Sequence, residues 1–411
     1  MGAAQSPTGY WISEIAGMQS GAPSFVTVAA SGNVYGCSTT SNSRQYIYKL
    51  NENGLLLWQR LYHGPSQNNV GGISINSSED VFVCGDNYGS IDGNRFASTI
   101  VKYDTSGVFQ YQRSFDAALV SDSASGIICD STGSFVVAGG TNDGRGYIAA
   151  FDSTGSISWK RETLSSLISR LSGIAGGDLY VCGSANPSLS DAMIAKLSST
   201  GLTTWIKKYD TTEKGSTLKD IVVGTGTNPP IFAVGDTSSL ASGIPDALIV
   251  CYNNDGSTAW ERALGGSSSV NYGIAVAVAI NNKPTIAGTS GEKIMIAQYD
   301  NLGNLLWQRF LGSSEGQVFP LDISILGSGA IHVTGQLAST DKLITCKLRP
   351  DGTGTGAFGS YTYEAGNATD RTISLGGGSL TLTNQVSSIA AGTPTLTSET
   401  ATLSQTGPII A

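Results

Sequence analysis

The sequence predicts an all-β fold, a seven-bladed β-propeller of four-stranded blades, closed by its N-terminal strand and followed by a low-complexity C-terminal extension. Three observations predict it: a repeated aromatic position, a repeated small residue, and a third repeated apolar run. The first is a Gly followed four residues later by Trp, then Arg or Lys. It occurs as Gly54/Trp58/Arg60, Gly155/Trp159/Arg161, Gly201/Trp205/Lys207, Gly256/Trp260/Arg262 and Gly303/Trp307/Arg309. Gly107/Tyr111/Arg113 places Tyr in the aromatic position, and Trp11 precedes Gly17 as Trp58 precedes Gly64. All 6 Trp fall on this register, so the chain is an array with a period of roughly 50 residues.

The second register is a small residue ending an apolar run: Ser38, Gly85, Gly139, Gly183, Gly235, Gly288 and Gly335. The third comprises the runs 46–50, 100–103, 148–151, 193–197, 248–252, 294–299 and 343–348. Short β-branched and aromatic runs bounded by Gly, Asn, Asp and Ser read as strands. Four strands per unit and seven units make a propeller, in which radial repetition leaves only short sheet edges. A solenoid is the alternative, but neither end carries a polar cap.

Ring closure has its own signature. The last unit is followed by Gly352 with no Trp four residues later, while an orphan Trp strand stands at residues 10–15. That strand is expected to pair with 343–348 and complete the seventh blade. Domain limits follow: a lead at 1–9, the propeller at 10–352, and a Ser/Thr/Gly-rich segment at 353–411. The repeated aromatics Trp11, Trp58, Tyr111, Trp159, Trp205, Trp260 and Trp307 are read as wedges between sheets. Each can bury on the order of 200 Å², or several kcal/mol at ~25 cal/mol/Å². The Arg or Lys two residues on is placed to stack on the ring or to meet an acidic turn.

Composition sets limits on function. The 411 residues are 40% hydrophobic and 13% charged, with 53 Gly. This suits many short strands and tight turns. A net charge of −8 gives nucleic-acid binding no electrostatic footprint, and no 18-residue apolar run is present to insert in a membrane. The N-terminus lacks the features of a secretory signal, although Gly2 and Ser6 match the short myristoylation pattern. Cys37, Cys84, Cys129, Cys182, Cys251 and Cys346 lie in apolar runs without metal-ligand spacing and are read as buried thiols.

Units such as Ile323…Gly329-Ala-Ile-His-Val-Thr-Gly335 and Tyr252-Asn-Asn-Asp-Gly256…Leu264-Gly265-Gly266 resemble the bacterial and phage β-propeller repeat proteins over residues 10–352. The resemblance implies a binding platform. The Asp-x-x-Gly copies at Asp104, Asp152 and Asp300 are also similar to quinoprotein repeats, which have one more residue between Asp and Gly. They are not sialidase Asp boxes, where the Gly-to-aromatic gap is shorter.

Beyond Gly352 charge nearly vanishes. Leu375, Leu382, Ile389, Leu396, Leu403 and Ile410 then follow at intervals of seven. A heptad suggests a helical or zipper-like attachment segment. Gly376–Gly378, Gly392 and Pro394 oppose one continuous coiled coil, and a flexible tail is the alternative. Such Ser/Thr-Leu-Thr tails resemble those on structural proteins of marine tailed phages.

Catalytic chemistry finds little support. The 2 His, His63 and His332, belong to the first and seventh units, so a triad or two-His metal site is not assembled. Asp130, Asp152, Asp300 and Asp351 occupy repeated turns, where side-chain-to-backbone bonding is the ordinary reason for Asp. The Gly-rich stretch 139–146 ends at a strand rather than a helix, and 86–94 lacks calcium-loop spacing. No catalytic residue, metal or cofactor is assigned.

Loop length is more informative. One face of the ring carries short repetitive turns and the other carries variable connections, where recognition usually lives. Tyr88, Asp92, Arg95, Asp143, Arg145, Asn271 and Tyr272 are the candidate ligand-binding side chains there. The leading expectation is a non-enzymatic structural or adhesion protein of a phage virion, made in the host cytoplasm. It would be a homo-oligomer joined to other virion proteins through its C-terminal segment and would recognise a host-surface glycan or protein. A carbohydrate-binding or polysaccharide-degrading propeller and a cellular interaction scaffold are the alternatives.

Overall fold

The computed structural model describes residues 11–63, 66–89, 95–115, 121–163, 167–173, 176–186, 191–209, 216–237, 244–265, 270–279 and 281–372, with 377–378, 391–392, 397–400 and 405–410. Seven antiparallel sheets form the seven blades: six have four consecutive strands, and the seventh has three consecutive strands and the N-terminal strand. The blades span residues 24–63, 68–115, 122–163, 167–209, 216–265, 271–313 and 318–348. The first strands of successive blades lie against one another at the centre of the ring.

The seventh blade is completed by the start of the chain. Trp11–Ile15 pairs antiparallel with Lys342–Leu348, placing Trp11 opposite Lys347 and Ile15 opposite Leu343. The expected closure is therefore present, and its strand pairing joins the beginning of the ring to its end.

The apolar core lies between sheets. Phe82, Phe135, Phe151, Phe115 and Tyr147 form one such layer between the second and third blades, with Phe135 stacked on Phe151 at 4.8 Å. Middle strands such as Val34–Thr39 and Asp246–Tyr252 are buried along their whole length. A sheet covered on both faces needs apolar or small residues on both, which is why these strands read as unbroken runs.

The small-residue register arises from a bulge. In blades two to seven the first strand carries an extra residue, as between Val70 and Gly72 or Leu218 and Asp220. The bulge pushes a carbonyl toward the second strand. A Cβ on Gly85 would sit 1.8 Å from the Asn69 oxygen, and one on Gly235 would sit 1.8 Å from the Thr217 oxygen. The first blade pairs without a bulge, and Ser38 is accommodated there.

Each repeated aromatic packs on the turn of the following blade. A Cβ added to Gly107, Gly201, Gly256, Gly303 or Gly352 would fall within 3 Å of Trp58, Trp159, Trp205, Trp260 or Trp307 respectively. The indole N–H groups of Trp58, Trp205 and Trp260 donate at 3.0 Å to the carbonyls of Thr105, Asn254 and Asn301 in those same turns. The following arginine does two jobs. Arg60 lies 5.6 Å over the Trp58 ring and donates to the Gly107 carbonyl at 2.6 Å. The turns themselves are held by aspartate: Asp104 Oδ1 accepts from the N–H of Ser106 and of Val108, both at 2.9 Å. Asp152 and Asp300 do the same.

The C-terminal segment corrects one expectation. Its described pieces, expected to be helical or zipper-like, are extended and pair with the outermost strands of the blades. The reason is the supply of unpaired backbone groups on every blade edge, combined with Thr-rich sequence that accepts strand geometry. Leu375, Leu382, Ile389, Leu396 and Leu403 lie outside the described residues, while Ile410 is in a strand opposite Trp11. Gly356–Phe358 and Tyr361–Ala365 form a hairpin on the sixth blade, where Tyr361 and Tyr363 are buried.

Candidate functional site

The variable connections gather on one face, where second strands end and first strands begin. The structure distributes the predicted side chains over this face in separate groups. On the third blade, Arg145 reaches Asp143 at 2.7 Å and Glu162 at 3.1 Å, and Lys160 reaches the other oxygen of Glu162 at 2.6 Å. The Arg145 hydrogen bond holds the Asp143 carboxyl below its usual range. On the fifth and sixth blades, Lys219 lies 4.8 Å over the Tyr272 ring and 2.5 Å from Asp236. Thr217 Oγ1 also donates to Asp236 at 2.9 Å. In the first group Lys160 and Glu162 are buried and Arg145 and Asp143 are partly exposed.

Tyr88 packs edge-on against Phe96 at 5.2 Å, and the Gly89 N–H donates to the Arg95 carbonyl at 2.9 Å, closing that loop. Asp92 lies outside the described residues. Asn271 is a correction: it is 1% exposed, and its backbone N–H donates to the Pro245 carbonyl at 3.0 Å.

A cavity of about 570 Å³ opens on this face between the second, third and fourth blades. Asp86, Phe96, Ser121, Thr141, Asn142 and Ser169 are among its lining residues. Burial raises the Asp86 carboxyl above its ordinary value, although Asn69 Nδ2 donates to it at 2.8 Å. Beneath the cavity, Asp122 accepts from the Ser98 N–H and Oγ at 2.6 Å, and Ser98 meets the Tyr147 hydroxyl at 2.5 Å. The lining offers hydroxyl, carboxamide and carboxyl groups beside one aromatic ring, a set suited to a neutral polar ligand. Among the described residues no group of three or more His, Cys, Asp or Glu is placed to hold a metal ion.

Sequence reasoning missed a second constellation, at the centre of the ring. The residues just after the bulge, with their first-blade counterpart, are Phe25, Gly72, Gly126, Arg170, Asp220, Ala275 and Asp322. The Arg170 guanidinium crosses to lie 4.4 Å over the Phe25 ring, with Nε 3.8 Å from Asp220 Oδ1. Asp220 accepts from the Val276 N–H at 2.8 Å, and Asp322 accepts from the Val26 N–H at 2.8 Å. Each carboxyl thus ties its own blade to the next. Burial raises the pKa of both, and the Asp220 charge raises Asp322 further, while Arg170 opposes the shift. The signal was available. These three positions pair with Cys182, Val234 and Thr334, the residues directly before the small-residue register, but no charge is unusual there until the units are aligned.

His332 is buried in the seventh blade, 6.2 Å from Trp11. His63 ends the outer strand of the first blade. The six cysteines are free, with Cys129 half-buried and the rest buried.

No family model matches the chain, and no curated protein matches it. Among solved structures, the chain is similar to the WD40 domain of Neurospora crassa Pan2. The TM-score is 0.54 and the identity 10%, over 84% of this chain and 97% of that one. A protein of unknown function from Bacteroides caccae aligns at TM-score 0.38 and 12% identity, over 61% of this chain and 93% of that one. The first similarity agrees with the ring of sheets described above: the chain is a seven-bladed β-propeller.

Proposed function

We propose that the protein is a non-enzymatic recognition platform of a tailed-phage virion, with the variable-connection face as its binding surface. The observation that carries this reading is the division of labour between the two faces. Trp and Arg of the repeat are consumed in joining blades and Asp in holding turns, whereas Arg145 is presented on a connection and Lys219 and Tyr272 on the starts of first strands at the same face. Variable loops on a rigid scaffold are the usual location of recognition. The virion setting rests on the resemblance of the repeats and of the Ser/Thr-Leu-Thr tail to phage proteins.

A carbohydrate ligand is a second reading, favoured by the hydroxyl-lined 570 Å³ cavity beside Phe96. Mass spectrometry and antibody labelling of purified particles test the setting, and absence of the protein from particles rejects it. Glycan-array binding with the cavity variant Asn142→Trp separates the readings. Binding that is lost in this variant supports the carbohydrate ligand. Host-surface binding that survives it, but not Arg145→Ala with Tyr272→Ala, supports the broader face.

A further inference from the structure

Each described strand of the C-terminal segment from Tyr361 onward lies on the outer edge of a blade of the same chain, and the pieces are in step. The reference point is the residue four places after the repeated aromatic position. In the sixth blade this is Leu311, opposite Tyr363; in the fifth, Leu264 opposite Asp370; in the fourth, Tyr209 opposite Gly377. In the second blade it is Phe115, opposite Ala391; in the first, Tyr62 opposite Ser398; in the seventh, Ile15 opposite Gln405. The partners 363, 370 and 377 are seven apart. From 377 to 391 is fourteen for two blades, and 391, 398 and 405 are again seven apart.

We propose that the described strands between Tyr361 and Ile410 form an intramolecular girdle that runs backwards around the ring at seven residues per blade. The outer edges of the blades are its docking track, and this chain's own C-terminal segment is the occupant. The sevenfold spacing of Leu375, Leu382, Ile389, Leu396, Leu403 and Ile410 is the same step written in the sequence. A coiled-coil heptad and a seven-residue blade step have identical periods, and only the partner distinguishes them. Side chains anchor the start of the girdle: the Tyr361 hydroxyl donates to Glu14 at 2.7 Å, Glu364 pairs with Lys293, and Arg371 pairs with the buried Asp246. Backbone pairing along the track satisfies the N–H and C=O groups that an open edge would offer to other chains.

Paired cysteines in the full chain test both register and step. Leu61 faces Glu399, and Ser114 faces Gly392. The pair L61C/E399C is expected to form an intramolecular disulfide in the monomer, at least tenfold faster than the off-register control L61C/T369C. Deleting residues 380–386 removes one step, so E399C is then expected to link to S114C and no longer to L61C. Deleting 380–383 should abolish both links. A disulfide-linked dimer, equal rates in and out of register, or an L61C/E399C link that survives the seven-residue deletion overturns the proposal. Should the cysteine pairs fold poorly, Glu399→Pro gives a second measurement. It should speed amide exchange in Leu56–His63 alone, and unchanged exchange there counts equally against the girdle.

Discussion

The Trp11 indole lies against Gly54 so closely that a Cβ on Gly54 would come within 2.5 Å of the ring. Trp11 belongs to the strand that completes the seventh blade, and Gly54 to a turn of the first. The indole N–H donates to the Glu52 carbonyl at 3.0 Å, and Ser13 Oγ donates to the Gly54 carbonyl at 2.9 Å. The last joint of the ring, between the seventh and first blades, is therefore built like the others.

Gly54→Ala should be far more damaging than Gly21→Ala. Both glycines have positive φ, +77° and +68°, but a Cβ at Gly21 meets nothing within 4 Å. Backbone strain alone should cost Gly21→Ala about 1 kcal/mol, while overpacking on Trp11 adds about 1–3 kcal/mol at Gly54. Urea denaturation monitored by tryptophan fluorescence would show this gap, and equal losses would contradict the interlock.

Replacing Trp11 with Ala should remove about 3–5 kcal/mol, the usual loss for a buried aromatic. Here the effect should also be local. Exchange of backbone amides in Lys342–Leu348 should accelerate before that in the second or third blade. Uniform acceleration around the ring would argue against a clasp.

The central carboxyls give an unusual pH dependence. Asp220 and Asp322 have raised pKa values in the folded protein, so between the unfolded value near 3.9 and neutrality the folded state binds more protons. Stability from these groups therefore rises as pH falls through that window and is lost as pH rises. Asp322→Asn should flatten the slope. Arg170→Met leaves two buried carboxyls without their cation and should cost about 3 kcal/mol at pH 8, and less at pH 5. A loss independent of pH would exclude the coupling.

His332 acts in the opposite sense. Burial, with Lys347 adding to it, lowers its pKa from 6.5 to about 3. The unfolded chain takes up the proton first, so the contribution is complete above pH 6.5 and falls by about 1.4 kcal/mol per unit below it. His332→Phe should remove this acid sensitivity, leaving stability rising from pH 7 to pH 5. Thermal melts across that range decide it; an unchanged profile would mean that His332 takes up no proton on unfolding.

The legible part of this chain was its joinery. Six Trp and one Tyr at one register gave the blade count, because each joint repeats an aromatic ring packed on a turn glycine. The orphan Trp11 gave the closure, because the seventh joint lacked its aromatic. The Asp turns were readable because their hydrogen bonds span only two to four residues. The loop-face candidates were readable only as positions. Nothing local marks Asn271 as buried, and nothing local places Arg145 against both Asp143 and Glu162.

What the sequence by itself determined is the repeating unit, its number, and the strand that shuts the ring, since each depends on a contact that recurs at fixed spacing. Tertiary structure decided what meets across the ring and around its rim. Arg170, Asp220 and Asp322 are brought together by curvature, not by spacing. The described pieces of the C-terminal segment became strands on blade edges, because those edges offer unpaired backbone groups.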